Sequence, residues 1–209
     1  MKCIICGAQT IELLDKQFNQ IYRECLHCKC VFTNETDYLN EELELDQYSR
    51  HNNSIESPGY VEMFDRFLDF VIPESFSGNC LDFGSGPEPV LQTVVGRRGL
   101  VCDIYDPYYA DEKPEKKYDL ITSTEVFEHF YDPLKELTFL SSLLNENGYL
   151  AVMTLFINDD IDFQDWWYRR DPTHVTFYNL ETFSYLAKRF GFEIVKHNKK
   201  NIILLKKSV

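Results

Sequence analysis

The chain is short of positive charge. Its 21 lysines and arginines stand against 34 aspartates and glutamates, a formal net charge of −13. So acidic a surface repels phosphate backbones and anionic lipid, so no nucleic acid and no membrane is expected as a partner. No long apolar run is present, which excludes an ordinary membrane-spanning helix. The opening Met1-Lys2-Cys3 has no apolar leader, and a cytoplasmic location is expected. Internal repeats and low-complexity tracts are missing too. Glycine and proline are sparse, at 9 and 8, so the places where they cluster carry information. The 209 residues, 44% hydrophobic, suffice for one good core and a small appendage.

Cysteine is not scarce. Four of the seven fall as Cys3-x-x-Cys6 and Cys25-x-x-Cys28. A two-residue gap lets both thiolates of a tight knuckle face one tetrahedral ion, and two knuckles complete a four-sulfur site. Gly7 follows the first pair, where a positive-φ turn is often needed. Zinc is the expected ion and its role structural, because so short a module cannot hold a core of its own. Iron uses the same spacing. Disulfides fit poorly without a signal sequence. His27 and Cys30 flank the second pair as substitutes for a thiolate, whereas Cys80 and Cys102 read as small core residues.

The run Cys80-Leu-Asp-Phe-Gly-Ser-Gly-Pro-Glu-Pro89 reads as strand, tight turn and helix, the layout in which backbone approaches a nucleotide-like ligand. Leu100 to Pro107 is a second strand ending in Asp106, where a carboxylate can accept hydrogen bonds from a ribose diol. Tyr118 to Thr124 is a third, running into Glu125, Glu128 and His129. Asp132-Pro133 opens a helix, expected to end near Asn147-Gly148, and Gly148 to Thr154 is another strand. Helices are also expected from Ser57-Pro58 and from Asn179 to Gly191. A terminal strand pair closes the chain.

The order Leu-Asp-x-Gly-x-Gly, strand-end Asp-Pro, Tyr-Asp-Leu-Ile, Glu-Val-Phe-Glu-His, Asp-Pro and Asn-Gly-Tyr-Leu resembles a class I S-adenosylmethionine-dependent methyltransferase over residues 57–209. The resemblance implies an α/β fold, a Rossmann-like three-layer sandwich with a mostly parallel sheet and an antiparallel last strand. Residues 1–33 would form a zinc ribbon and 34–56 an acidic connector with a solvated face. The resemblance places Asp82, Gly84, Ser85 and Gly86 at the methionine end of the cofactor, Asp106 and Pro107 at its ribose, and Thr124 and Glu125 on the far side. Two departures stand out. Glu88 replaces the usual third glycine, and the segment from 107 to 117 is too short for the family's third strand. Tyr105, Tyr108 and Tyr109 would wall the adenine instead, and the shortened edge would be covered by the zinc module or a second subunit.

Two catalytic residues are expected. His129 follows the strand end where the cofactor should lie, and histidine can exchange a proton near neutral pH. Ubiquinone-pathway O-methyltransferases carry a similar Glu-His there. The alternative is that His129 braces the helix opening at Asp132. Glu125, Glu128 and His129 could also gather a divalent cation. His174 is the second candidate, in Trp166-Trp-Tyr-Arg-Arg-Asp-Pro-Thr-His174, where aromatics beside paired arginines suit an anionic ring such as a nucleotide-sugar. Tyr48 and His51 are expected over the cofactor, and His197 in solvent. The implied activity is methylation of a small molecule, a nucleotide-sugar or a phenolic hydroxyl. The alternative is a non-catalytic cofactor-binding or protein-binding module of the same fold.

Overall fold

The computed structural model describes residues 1–50 and 54–208. The N-terminal part is a meander in which β1 (Thr10–Asp15), β2 (Gln20–Cys25) and β3 (Val31–Thr33) pair antiparallel in chain order. Asp15 Oδ1 organises the first turn by accepting from the Gln17 and Phe18 N–H groups at 2.7 and 3.4 Å. Helix α1 (Glu41–Ser49) is capped by the Asn40 side chain, and its first-turn glutamates suit the positive end of the helix dipole. The stretch expected to be a solvated connector is thus partly helical. One of its acids, Glu44, is buried.

Helix α2 (Pro58–Val71) begins with proline in its first turn and buries Phe64, Phe67, Leu68 and Val71. Each such side chain contributes about 1.5–3 kcal/mol of burial. There follow β4 (Cys80–Phe83), α3 (Val90–Arg97), β5 (Cys102–Tyr105), β6 (Tyr118–Thr124), α4 (Pro133–Leu143), β7 (Leu144–Met153), β8 (Thr176–Phe177), α5 (Leu180–Phe190), β9 (Phe192–His197) and β10 (Ile202–Lys207). Six of these strands form one sheet, in the order β5-β4-β6-β7-β10-β9. Strand β4 runs parallel to β5 and β6, β6 parallel to β7, and β10 antiparallel to both its neighbours. The expected sandwich is present, antiparallel strand included. Residues 107–117 contribute no strand or helix, so β5 is the sheet edge.

Alternation along the strands sends neighbours to opposite layers. Leu120, Ala151 and Leu204 pack under α2 and α3, while Ile121, Leu150, Val152 and Ile203 pack with α4 and α5. One boundary differs from expectation. Helix α4 stops at Leu143, and Leu144 already pairs with Tyr118. The register then moves to Leu120 opposite Tyr149, so Asn147 (φ 62°) and Gly148 form a turn inside the strand and do not cap the helix. A Cβ on Gly148 would lie 2.9 Å from the Asn145 carbonyl oxygen.

The meander does not stand alone, because β8 is its fourth strand, with Val31 opposite Phe177 and Phe32 opposite Thr176. Thr182 Oγ1 and Asn179 Nδ2 donate to the Cys28 and Lys29 carbonyls, both at 2.8 Å. Helix α5 packs on β9, at the opposite end of the sheet from β5. The module therefore docks away from the edge it was expected to cover.

Candidate active site and cysteine cluster

Cys3, Cys6, Cys25 and Cys28 bring their sulfurs within 4.8 Å of one another. Cys3 and Cys28 lie 3.6 Å apart and Cys6 and Cys25 3.3 Å. The Ile5 and Cys6 N–H groups point at Cys3 Sγ, and those of His27 and Cys28 at Cys25 Sγ. Backbone donors aimed at sulfur stabilise thiolates, so the donor set fits a tetrahedral soft or borderline ion such as Zn²⁺. Cys30 is turned away, its thiol donating to the Val31 carbonyl, and His27 is exposed.

A cleft of about 1070 Å³ opens at the carboxyl ends of β4, β5 and β6. Its glycine loop follows from strand and backbone geometry. Gly84 has φ 82°, and a Cβ there would sit 2.3 Å from Val126 Cγ2. No other residue fits. Gly86, at φ 67°, donates its N–H to Asp106 Oδ2 at 2.9 Å, and Asp106 Oδ1 accepts from the Tyr108 and Tyr109 N–H groups at 2.9 and 3.2 Å. Asp106 thus staples two loops together at the cleft wall. Asp82 is buried beneath it, 3.3 Å from Thr122 Oγ1, and desolvation lifts its pKa from 3.8 to about 7.

Opposite charges are few at the buried end of the cleft. Tyr168 donates its hydroxyl toward Glu125 Oε2 at 3.0 Å and Glu128 Oε1 at 2.5 Å. Burial, with Glu128 beside it, pushes the Glu125 carboxyl well above its usual range. Glu125 itself sits at φ 53°. His129 and His174 meet edge to face, their ring centroids 4.9 Å apart. His129 Nδ1 lies 3.0 Å from the Thr173 carbonyl and His174 Nδ1 2.7 Å from the Tyr168 carbonyl. Desolvation lowers the His174 pKa, keeping the ring neutral.

A family model described as a methyltransferase domain matches residues 55–197. The chain belongs to that family. Among solved structures the methyltransferase domain is similar to a SAM-dependent methyltransferase from Thermotoga maritima, 14% identical, with a TM-score of 0.50 over 79% of this chain and 100% of that one. LaPhzM is 14% identical with a TM-score of 0.53, over 71% and 55% of the two chains. The [4+2]-cyclase SpnF is 13% identical with a TM-score of 0.50, over 80% and 93%. At such identities these show a shared fold. No curated protein matches the chain in sequence.

The methyltransferase cleft gathers Asp82, Gly84, Ser85, Gly86, Asp106, Pro107, Thr124, Glu125, His129 and His174 on one surface. Glu88 is at its exposed rim. Tyr48 is there as well, edge-on to His129, while His51 lies outside the described residues. Other expectations are corrected. Arg169 is no cleft cation: it is buried, ion-paired with Asp15 of β1 and bonded to the Phe163 and Gln164 carbonyls. Only Arg170 of that pair lines the cleft. His197 is half-buried, with its Nδ1 shielded from solvent. Tyr168, one of the aromatics expected at a pocket, lines the cleft, and Glu44 lines it without any sequence signal. Glu44 accepts from Tyr48 and Tyr108 hydroxyls at 2.6 and 2.9 Å. Nothing local marks it, since α1 has no apolar face.

Proposed function

We propose that the protein is an S-adenosylmethionine-dependent methyltransferase acting on a hydroxyl group of a small molecule. The observation that carries this is the convergence in one cleft of the glycine loop, the strand-end Asp106 and the two histidines. When bound, the cofactor supplies a methyl on a sulfonium, activated for displacement. Gly84 and Gly86 let the backbone approach the methionine end, and beyond its three N–H partners Asp106 keeps one acceptor position on Oδ2 for a ribose hydroxyl. The carboxylates of Glu44 and Asp106 on the cleft wall suit a cationic cofactor.

His129 and His174 flank the acceptor's place, where its oxygen must be activated. The exposed Trp167 and Arg170 offer a wall for a ring. With Arg169 committed elsewhere, phenolic and sugar hydroxyls rank ahead of a nucleotide diphosphate. The four-cysteine cluster is read as structural zinc, and the protein as a cytoplasmic enzyme.

Calorimetric titration with S-adenosylmethionine and S-adenosylhomocysteine tests the reading. Micromolar binding is expected in the wild type and a loss of at least tenfold in Asp106→Asn. No binding by folded, zinc-loaded protein would refute it. A second reading, a binding module without turnover, draws on Glu88, on the absent third strand, and on SpnF, a cyclase of the same fold. Cofactor binding without methylation across a hydroxyl-acceptor screen would favour it.

A further inference from the structure

Glu128 is fully buried, yet its Oε2 has no hydrogen-bond partner among the described residues. Leaving a carboxylate oxygen so placed costs on the order of 1–3 kcal/mol or more. Beside it stand the two histidines, and one ligand atom from each of Glu128, His129 and His174 falls within 4.8 Å of the others. Each imidazole has its Nδ1 against a backbone carbonyl. A carbonyl only accepts, so Nδ1 carries the proton, and in the neutral ring Nε2 is the nitrogen left with a lone pair. Orienting one ring nitrogen by a carbonyl is how metal-ligating histidines are held. A lone general base would require only one such ring. His129 Nε2 lies 3.9 Å from Glu128 Oε1, too far for a hydrogen bond and close enough for both to share an ion.

We propose that Glu128, His129 and His174 form a divalent transition-metal site at the buried end of the cleft, and that the ion anchors an acceptor bearing two neighbouring oxygens. The donor set differs from the one legible in sequence, with His174 in place of Glu125. Two imidazoles and one carboxylate favour Mn²⁺, Fe²⁺, Co²⁺ or Zn²⁺ over Mg²⁺ or Ca²⁺, which prefer oxygen alone. Three ligands on one side leave positions open toward the cleft, where a vicinal diol or catechol-like pair can chelate. The ion also answers the excess of acids that line this cavity. This deepens the methyltransferase reading and rests on it for the identity of the substrate.

The test is Mn²⁺ titration of protein already loaded with zinc at the cysteines, followed by water-proton relaxation, with S-adenosylmethionine titrated separately. One Mn²⁺ per chain is expected, weakened more than about 100-fold in Glu128→Gln and His174→Gln and unchanged in His27→Ala. Near-UV circular dichroism checks folding, and His129→Gln decides the matter if His174→Gln does not fold. No Mn²⁺ on the folded wild type, or variants that titrate like it, overturns the site. Cofactor binding without Mn²⁺ leaves the methyltransferase reading intact and removes the ion. Mn²⁺ binding without cofactor affinity keeps the site and refutes that reading.

Discussion

Asp82 shows what a functional position costs at the scale of one residue. It sits inside a parallel strand with a hydroxyl for company and, among the described residues, no cation, so burial raises its pKa to about 7. The unfolded chain ionises this group near 3.8, well before the native one does. Its contribution to stability is therefore complete below about pH 4 and is lost as pH rises toward 7. Asp82→Asn removes that loss. In thermal melts of the cofactor-free protein, the variant's advantage over wild type is expected to grow from pH 4 to pH 8, reaching a few kcal/mol. A gap that stays constant with pH would show that the carboxyl is not held neutral. Leu81-Asp82-Phe83 was legible in sequence as a strand bearing a functional acid. That the acid is paired only with Thr122, forty residues on, was not, because side-chain partners across a sheet leave no local trace.

At the scale of elements, the Asp15–Arg169 pair joins the end of β1 to the 3-10 turn Trp167–Arg170. Both side chains are fully buried, and the guanidinium also satisfies two backbone carbonyls. Arg169→Met leaves a buried carboxylate alone, and urea unfolding is expected to show a loss of about 3–5 kcal/mol. The double replacement Asp15→Leu with Arg169→Met should recover most of it, since neither charge then remains in the interior. Failure of the double variant to recover would mean that the backbone contacts of the two side chains, Arg169 to the carbonyls and Asp15 to the turn N–H groups, matter more than the pair. The sequence showed two adjacent arginines in an aromatic stretch and suggested anion binding. Nothing in that stretch could reveal that Asp15 would arrive from the other end of the chain. Helix α1 is a similar case: its charge pattern reads as solvent-facing, and only the tyrosines packed around Glu44 bury it.

For the whole molecule, the decisive contact is the sharing of β8. The cysteine module contributes three strands, and the methyltransferase domain contributes the fourth, two residues after His174. Metal at the cysteines should therefore steady the acceptor side of the cleft more than the glycine loop. Chelation of the zinc-loaded protein is expected to lower its melting temperature and abolish acceptor turnover, while cofactor affinity falls less than about tenfold. Equal loss of both would place the module's influence on the entire domain. A chelated protein that melts and turns over like the zinc-loaded one would leave the cysteines without a metal role.

By itself the sequence determined the strands and helices of the main sheet domain other than β8, the glycine loop, the strand-end acid and the pairing of the cysteine knuckles. These are written in local spacing: apolar alternation, helix caps, and glycines where φ must be positive or a neighbour comes too close. Only the tertiary structure decided which distant groups share a space: Tyr168 between Glu125 and Glu128, the two imidazoles face to edge, Glu44 under Tyr48 and Tyr108, and β8 on the edge of β3. Each of those contacts gains its energy from burial or from a hydrogen bond between residues far apart in the chain, and such partners are selected by packing of the finished core, not by any short pattern.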